Sequence, residues 1–271
     1  MAALRLGAAQ GWFVDALHVR PDPAMIAPIL GDGLAPGALQ GAMDASTAAI
    51  QANAEAARAT FDDAARACNA SIIQTAPERA GFGARYTEGI GARERVVASR
   101  ARLADVVVFA SEACALAGAL SDAFAETVLN ERRPAFLAPS GAAGVGEIET
   151  VFIAWDGSGE AAAALRSALA FVRGAGRVVI GHVVRDGEEA AKRVCAELEE
   201  YLTLQGCKSE TVLLEGEGRS IAQTLIEGAQ LSGAQLLVMG AYGHSRLREW
   251  VLGGVTQRMI VDAPFSLFLA H

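Results

Sequence analysis

Short apolar runs and helical segments alternate along the C-terminal half of the chain, and this alternation constrains the fold more than any other feature. Five runs are rich in β-branched or aromatic residues, as buried parallel strands are: 150–155, 177–184, 210–214, 235–239 and 265–270. The segments between them have helical periodicity: 159–172, 188–205, 219–231 and 255–261. Strands joined by helices form parallel sheets with right-handed crossovers. The pattern therefore predicts an α/β fold with a doubly wound parallel sheet.

Fragments of the same order recur in the N-terminal half, which indicates an internal repeat. The matched pairs are 16–20 (ALHVR) with 180–184 (IGHVV), 104–109 (ADVVVF) with 234–239 (AQLLVM), and 133–137 (RPAFL) with 263–267 (APFSL). Residues 140–146 are rich in glycine and alanine and lack apolar periodicity, as linkers do. We therefore predict two tandem domains, at 1–140 and 147–271.

The N-terminal copy is predicted to be degenerate. It carries a long insertion after the strand that contains His18, including one extended helix at about 43–69. Its segment 2–10 matches the helix that follows the opening strand of the second copy, so the first copy lacks its own opening strand. That strand is central in a doubly wound sheet, and its loss leaves two neighbours without hydrogen-bonding partners. Either the start is truncated or something else fills the gap.

Composition and charge narrow the classes of function. Hydrophobic residues make up 52% of the chain, but much of this is alanine, and no apolar run approaches the roughly 20 residues of a membrane span. The first residues lack the features of a secretory signal, so we expect a cytoplasmic protein without a membrane role. A net charge of -8 opposes the phosphate contacts on which nucleic-acid binding depends. The four cysteines and four histidines are scattered, which predicts neither a metal site nor disulfides.

Glycines after the strand predicted at 235–239 suggest a phosphate site. Gly240 and Gly243 follow Met239, and Gly253 and Gly254 precede a predicted helix. Glycine permits close backbone approach and positive φ, and a helix N-terminus adds unpaired N–H donors, so such a turn can hold a polyphosphate. The alternative is that these glycines serve only tight turns.

A carboxylate ends the first strand of the same half. Asp156 follows 150–155 in the stretch IAWDGSG, and ligands of open α/β sheets collect at the C-terminal ends of strands near the switch point. The alternative reading is that Asp156 is a turn former or the N-cap of the helix that follows. Both roles are compatible with one side chain.

Together these residues resemble the universal stress protein family in its tandem bacterial form. The likeness covers nearly the whole chain, and the pattern Gly240-x2-Gly243-x9-Gly253 is its most specific part. It implies a Rossmann-like fold of the adenine nucleotide alpha hydrolase type. It also implies that Asp156 contacts adenine or ribose and that Val183, after His182, lines the adenine pocket. The roles at ribose and phosphates fall to Met239, Gly240, Gly243 and Gly253.

The sequence departs from the family pattern at one point. A serine or threonine usually follows the last glycine of the motif, whereas this chain has Gly254, followed by Val255 and Thr256. Loss of a hydroxyl contact costs roughly 0.5–1.5 kcal/mol, so weak binding is expected. The resemblance implies ATP, ADP or AMP as the ligand, with or without magnesium, and Gly254, Val255 and Thr256 complete the candidate site.

The equivalent stretch of the first copy, 108–118, has lost the motif glycines and carries Glu112 where a phosphate would lie. We therefore expect no nucleotide there. The resemblance implies instead that the first copy pairs with the second as an internal counterpart of the family's dimer, through the final strands near Phe136 and Phe268. A further homodimer stays open.

Three functions are compatible with these observations. The favoured one is a stress-response regulator that binds ATP in its second domain and thereby changes its affinity for an unidentified protein partner. The second is an interaction scaffold of the same fold without a ligand, using helices such as 43–69. The third is an enzyme of the adenine-nucleotide class. No nucleophile elbow or Walker motif supports it, and His244 is the one candidate acid or base, so at most slow ATP hydrolysis is expected.

Overall fold

The structure is a computed structural model that describes residues 1–22, 36–74, 81–116, 119–139, 147–185, 187–242 and 254–271. The chain divides into two compact units, Met1–Arg100 and Ala101–His271. Among the described helices, none is both long and apolar enough to cross a bilayer.

The first unit is a small α/β structure. Its elements are α1 (Ala2–Gln10), β1 (Phe13–Arg20), α2 (Pro36–Ala67), β2 (Gly83–Ile90) and α3 (Arg93–Ala101). The two strands pair in parallel over their full length, as the crossover through α2 requires. A small core lies between the sheet and the helices, formed by Leu4, Phe61, Ala64, Ala65 and Ala84. The helices predicted at 2–10 and 43–69 are both present.

The second unit begins with the last strands of the N-terminal half. These elements are β3 (Val107–Ala110), α4 (Ser111–Cys114), β4 (Ala115–Leu116), β5 (Ala119–Leu120), α5 (Asp122–Ala125), a π-helical turn (Glu126–Asn130) and β6 (Ala135–Ala138). The C-terminal half adds β7 (Thr150–Ala154), α6 (Gly159–Ser167), α7 (Leu169–Gly174), β8 (Arg177–Val183), α8 (Glu188–Leu204), β9 (Ser209–Leu214), α9 (Ile221–Leu231), β10 (Leu236–Gly240), α10 (Gly254–Asp262) and β11 (Ser266–Ala270).

Seven of these strands form one sheet in the order β3-β6-β11-β10-β7-β8-β9. Every neighbouring pair is parallel except β6 with β11. The chain runs outward from β7 through β8 to β9 and then crosses back to β10, so the switch point lies between β7 and β10. The predicted α/β fold with a mostly parallel central sheet is confirmed.

The antiparallel pair β6–β11 joins the two halves of the chain in this sheet. Phe268 lies opposite Phe136, which is the contact that the family resemblance implies, and Leu267 lies opposite Leu137. These two leucines end the matched fragments 133–137 and 263–267, so residues that correspond in the repeat face each other. An antiparallel register centred on equivalent residues is what a two-fold relation between the halves requires.

Two details differ from the sequence expectations. The helix predicted at 159–172 is divided into α6 and α7 because the Ala168 amide is shared between the carbonyls of Ala164 and Leu165, which tightens the turn. The chain also divides into its compact units after residue 100, because β3 and β6 belong to the large sheet, and this division does not test the repeat boundary predicted at 140–146. The division into repeats at 1–140 and 147–271 stays a prediction.

The edges of β1 and β3 bear on the predicted loss of an opening strand. In the described part of the chain, β1 is paired only with β2, and β3 only with β6. By contrast, β7 lies between β8 and β10 in the C-terminal half. The strand pairing is consistent with an N-terminal half that lacks the counterpart of β7.

Candidate functional site

The candidate residues of the C-terminal half lie at one edge of the sheet. Asp156 follows β7, Val183 ends β8 and Gly240 ends β10, and these three strands are parallel neighbours. Because the carboxyl ends of parallel strands face the same side, the three positions flank the switch point between β7 and β10. Val183 is half-buried and packs against the main core, so it presents an apolar wall at this edge.

Asp156 shapes the turn between β7 and α6. Its Oδ1 accepts the Ser158 amide at 2.9 Å, and the intervening Gly157 has φ of 78°. The N-cap of α6 is Ser158, whose Oγ accepts the Ala161 amide at 3.1 Å. Of the alternatives left by the sequence, Asp156 is therefore the turn former and not the cap. Its side chain is exposed, so the carboxylate is accessible from solvent at the edge of the sheet.

Two residues that sequence reasoning did not assign to the site hold this turn in place. The Trp155 amide donates to the Gly181 carbonyl at 2.9 Å, and its indole Nε1–H donates to Val194 at 3.0 Å. The His182 Nδ1–H donates to the Trp155 carbonyl at 2.8 Å, which also sets the tautomer of that ring. The ends of β7 and β8 are thus tied together directly before Asp156 and Val183. The sequence signal was a tryptophan placed between a buried strand and the aspartate.

Gly240 is required by packing. A Cβ at this position would lie 2.6 Å from the Ala161 amide nitrogen and 2.7 Å from the Glu160 carbonyl carbon. Its φ is not positive, so close approach of α6 and not a left-handed backbone explains the glycine. Met239 before it is buried in the main core. The ligand roles of Met239 and Gly240 stay predictions.

The backbone leaves β10 through an unusual residue. Tyr242 has φ of 65°, a conformation that is uncommon and strained for a bulky side chain. Its hydroxyl is buried and has no hydrogen-bond partner among the residues that the structure describes. Burial, and to a smaller extent the nearby Cys114, raises the pKa of the phenol. The ring packs edge-to-face on His271 at 6.5 Å, and His271 Nδ1–H donates to the Ala241 carbonyl at 3.0 Å.

The remaining candidates lie at or before α10. Gly254 is exposed at the start of the helix, Val255 is half-buried and Thr256 is buried, with 3% of its surface exposed. Gly243 and Gly253 lie outside the described residues, as does His244. The structure therefore brings Asp156, Val183, Met239 and Gly240 to one edge, and the glycine loop between Tyr242 and Gly254 stays a sequence prediction.

A groove of about 370 Å³ in the first unit lies elsewhere, between α2 and the ends of β1 and β2. Its arginines already have acidic neighbours: Arg20 lies 3.0 Å from Glu88, and Arg58 lies 3.4 Å from Asp62. The lining holds two arginines and three carboxylates, so no excess of positive charge is left there for a nucleotide phosphate. In the described residues no group of three His, Cys, Asp or Glu side chains is placed to hold a metal ion.

Comparison with known sequences identifies a family match in the half of the chain that carries the candidate site. Residues 147–271 match the model of the universal stress protein family. A universal stress protein of Methanocaldococcus jannaschii is 37% identical over 78 residues, which are 29% of this chain and 42% of that protein. The chain thus matches less than half the length of this relative.

The fold resembles solved universal stress protein structures. One from Archaeoglobus fulgidus superposes with a TM-score of 0.70 at 16% identity, over 99% of this chain and 91% of its own. A structure from Pseudomonas aeruginosa assigned to the same family has a TM-score of 0.53 at 14% identity, over 97% of this chain and 94% of its own. At these identities the likeness concerns the fold alone.

Proposed function

Because residues 147–271 belong to the universal stress protein family, we propose that this region binds ATP or a related adenine nucleotide. The observation that carries the proposal is the placement of Asp156, Val183 and Gly240 at the ends of three adjacent parallel strands beside the switch point. Ligands of open α/β sheets bind at this position.

Each residue of the edge has a role that its surroundings support. Asp156 is exposed and held by the Ser158 amide, so it is positioned to accept hydrogen bonds from ribose hydroxyls or adenine. Val183 supplies an apolar surface for the base. The absence of a side chain at Gly240 lets the strand end approach α6 closely, which keeps the edge narrow. The segment up to Gly253 would supply backbone amides to the phosphates.

Binding is expected to be weak to moderate. Gly254 has no hydroxyl to offer a phosphate, and Thr256 is buried within the protein, so its side chain is not a ready substitute. A missing neutral contact costs about 0.5–1.5 kcal/mol, or roughly a two- to tenfold loss of affinity. ATP, ADP and AMP are the ligands to compare, each with and without magnesium.

The biological role follows from the same family. We propose a cytoplasmic stress-response regulator whose affinity for a protein partner depends on the bound nucleotide, with the N-terminal half as an internal counterpart of a dimer subunit. The antiparallel β6–β11 pair, in which Leu137 faces Leu267, supports this tandem arrangement. A nucleotide can shift such a protein only by binding its two states unequally.

Calorimetric titration of the whole chain with ATP, ADP and AMP at millimolar concentration tests nucleotide binding. We expect heat of binding with the unaltered protein and its loss in Gly243→Val, because a side chain in the loop would displace the phosphates. Ala113→Val is the matched control: it alters the corresponding position of the first half, which is exposed in α4. Asp156→Asn keeps the turn-forming oxygen and removes the charge, so it should weaken binding by roughly tenfold or more.

The outcomes separate the alternatives. Absence of heat with all three nucleotides would refute nucleotide binding and leave the interaction scaffold. Heat that persists unchanged in Gly243→Val would move the ligand away from the predicted loop. Hydrolysis above a slow background that disappears on substitution of His244 would instead favour an enzyme.

A further inference from the structure

The turn that carries Asp156 is held at the residue before it. The Trp155 amide donates to the Gly181 carbonyl at 2.9 Å, one step beyond the last register pair of β7 with β8, in which Ala154 lies opposite Gly181. The Trp155 carbonyl comes next, and it accepts from the Nδ1–H of His182 at 2.8 Å. A side chain of β8 thus takes over from the backbone where β7 ends.

This bond acts on the peptide group that leads into Asp156. The Trp155 carbonyl and the Asp156 amide belong to one planar unit, which ends at the Cα of Asp156. A donor fixed on the carbonyl therefore restricts rotation of the whole unit, and with it the direction in which the Asp156 side chain leaves the backbone. Because a carbonyl oxygen only accepts, Nδ1 of His182 carries the hydrogen, as it can in both the neutral and the protonated ring.

The same turn is braced from α8. The indole Nε1–H of Trp155 donates to the Val194 carbonyl at 3.0 Å, and a Cβ at Gly157 would lie 3.2 Å from Cγ1 of Val194. These contacts act on the ring of Trp155 and on Gly157, which lie on either side of the peptide that His182 holds. The backbone at Asp156 is therefore fixed between β8 and α8.

The first half of the chain offers a matched comparison. His18 in β1 corresponds to His182 in the repeated fragments 16–20 and 180–184, and both side chains are half-buried. In the described part of the chain β1 is paired only with β2, whereas β8 lies between β7 and β9. His18 thus occupies the same place in its fragment without a described neighbour equivalent to β7, which makes it a control for substitutions at His182.

We propose that His182 is a positioning residue for nucleotide binding, which holds the Asp156 carboxylate in its binding direction through the Trp155 carbonyl. The inference rests on the proposed nucleotide function and adds to it a residue that acts through Asp156. Val183 follows His182 directly, so one ring links the apolar wall of the edge to its carboxylate. The role requires a hydrogen-bond donor at Nδ1, and not the charge of the ring.

Calorimetric titration with ATP tests the requirement for a donor. His182→Leu removes the donor and should weaken ATP binding by about fivefold. His182→Asn should stay within about twofold of the unaltered protein, because the Asn amide nitrogen is attached to Cγ as Nδ1 is and can donate to the same carbonyl. His18→Leu makes the same change in the first half and should leave the affinity unaltered.

A double-mutant cycle with Asp156→Asn tests whether His182 acts through the carboxylate. In the Asp156→Asn background, His182→Leu should lose most of its effect on the affinity, since both substitutions then act on one contact. A residue with a merely structural role would weaken binding by the same factor in both backgrounds. That result would overturn the proposal, as would failure of His182→Asn to restore binding.

Hydrogen exchange without nucleotide, followed by mass spectrometry, reports on the turn itself. The amides of residues 155–158 should exchange at least about threefold faster in His182→Leu, and at the original rate in His182→Asn and His18→Leu. Unchanged exchange in β10 and β11 would establish that each variant is folded. An unchanged rate at 155–158 in His182→Leu would show that the ring does not hold the turn, which overturns the proposal.

The two proposals fail in different ways. Absence of heat with ATP in the unaltered protein would refute the nucleotide function, and the positioning role with it. Normal ATP binding by the unaltered protein that His182→Leu leaves unchanged would overturn the positioning role alone.

Discussion

The segments after β3 and after β10 correspond in the sequence repeat, yet the chain leaves the two strands differently. After β3, helix α4 begins directly at Ser111, and its last residue, Cys114, is buried. After β10, Tyr242 takes a left-handed conformation, and the next described helix begins at Gly254. Both halves thus have this strand, and at this point they differ in how the chain leaves it.

One pair of corresponding residues shows what maintains that difference. Gly240 contacts the first turn of α6 so closely that a methyl group would meet backbone atoms, whereas its counterpart Ala110 is exposed. A glycine is therefore required at 240, where the backbone of a helix would meet a side chain, and is not required at the exposed position 110. If the predicted repeat holds, the glycine is dispensable at the position of Ala110 because that position is exposed.

The largest expected effect concerns the seam that joins the two halves. Phe136 and Phe268 are almost fully buried and both contact the ring of Phe171, with centroids 5.7 and 5.8 Å away. Phe136→Ala and Phe268→Ala should each lower the free energy of unfolding by about 3–5 kcal/mol, through lost burial and the remaining cavity. Denaturant unfolding measures this, and a large difference between the two variants would contradict equal participation of the halves.

A smaller effect is expected at the strand ends. Gly240→Val should lower the free energy of unfolding by about 1–3 kcal/mol, because the backbone of α6 must move to admit the side chain. Ala110→Val at the exposed counterpart should change it by less than about 0.5 kcal/mol. Urea denaturation of both variants tests the contrast, which would fail if Ala110→Val proved as costly as Gly240→Val.

The smallest effect concerns the residue that begins the loop. Tyr242→Phe removes a buried hydroxyl that has no partner within the described part of the chain, so it should raise the free energy of unfolding by about 1 kcal/mol. Tyr86→Phe is the control, because the Tyr86 hydroxyl donates a long hydrogen bond of 3.5 Å to the Ala54 carbonyl and its removal should be neutral or slightly destabilising. Stabilisation of similar size in both variants would mean that the unpartnered hydroxyl is not the cause.

Much of the second half could be predicted from the chain because its signals are local. The predicted strands agree with β7 to β11 to within one residue at each end, since short β-branched runs between helical segments have few alternatives. The contact of Phe136 with Phe268 came instead from the family resemblance, and the register confirms it. The hydrogen bonds of Trp155 and His182 could not be foreseen, because they join residues that are distant along the chain.

By itself, the sequence determined the order of strands and helices in the C-terminal half, the mostly parallel sheet and the set of residues near the C-terminal ends of its strands. These depend on periodicity and on residue type at strand ends, which are properties of short segments. Only the tertiary structure decided that Gly240 serves the packing of α6 and that Ser158 rather than Asp156 caps that helix. Each of these depends on which atoms approach across elements, and burial and close contact arise only when the chain is folded.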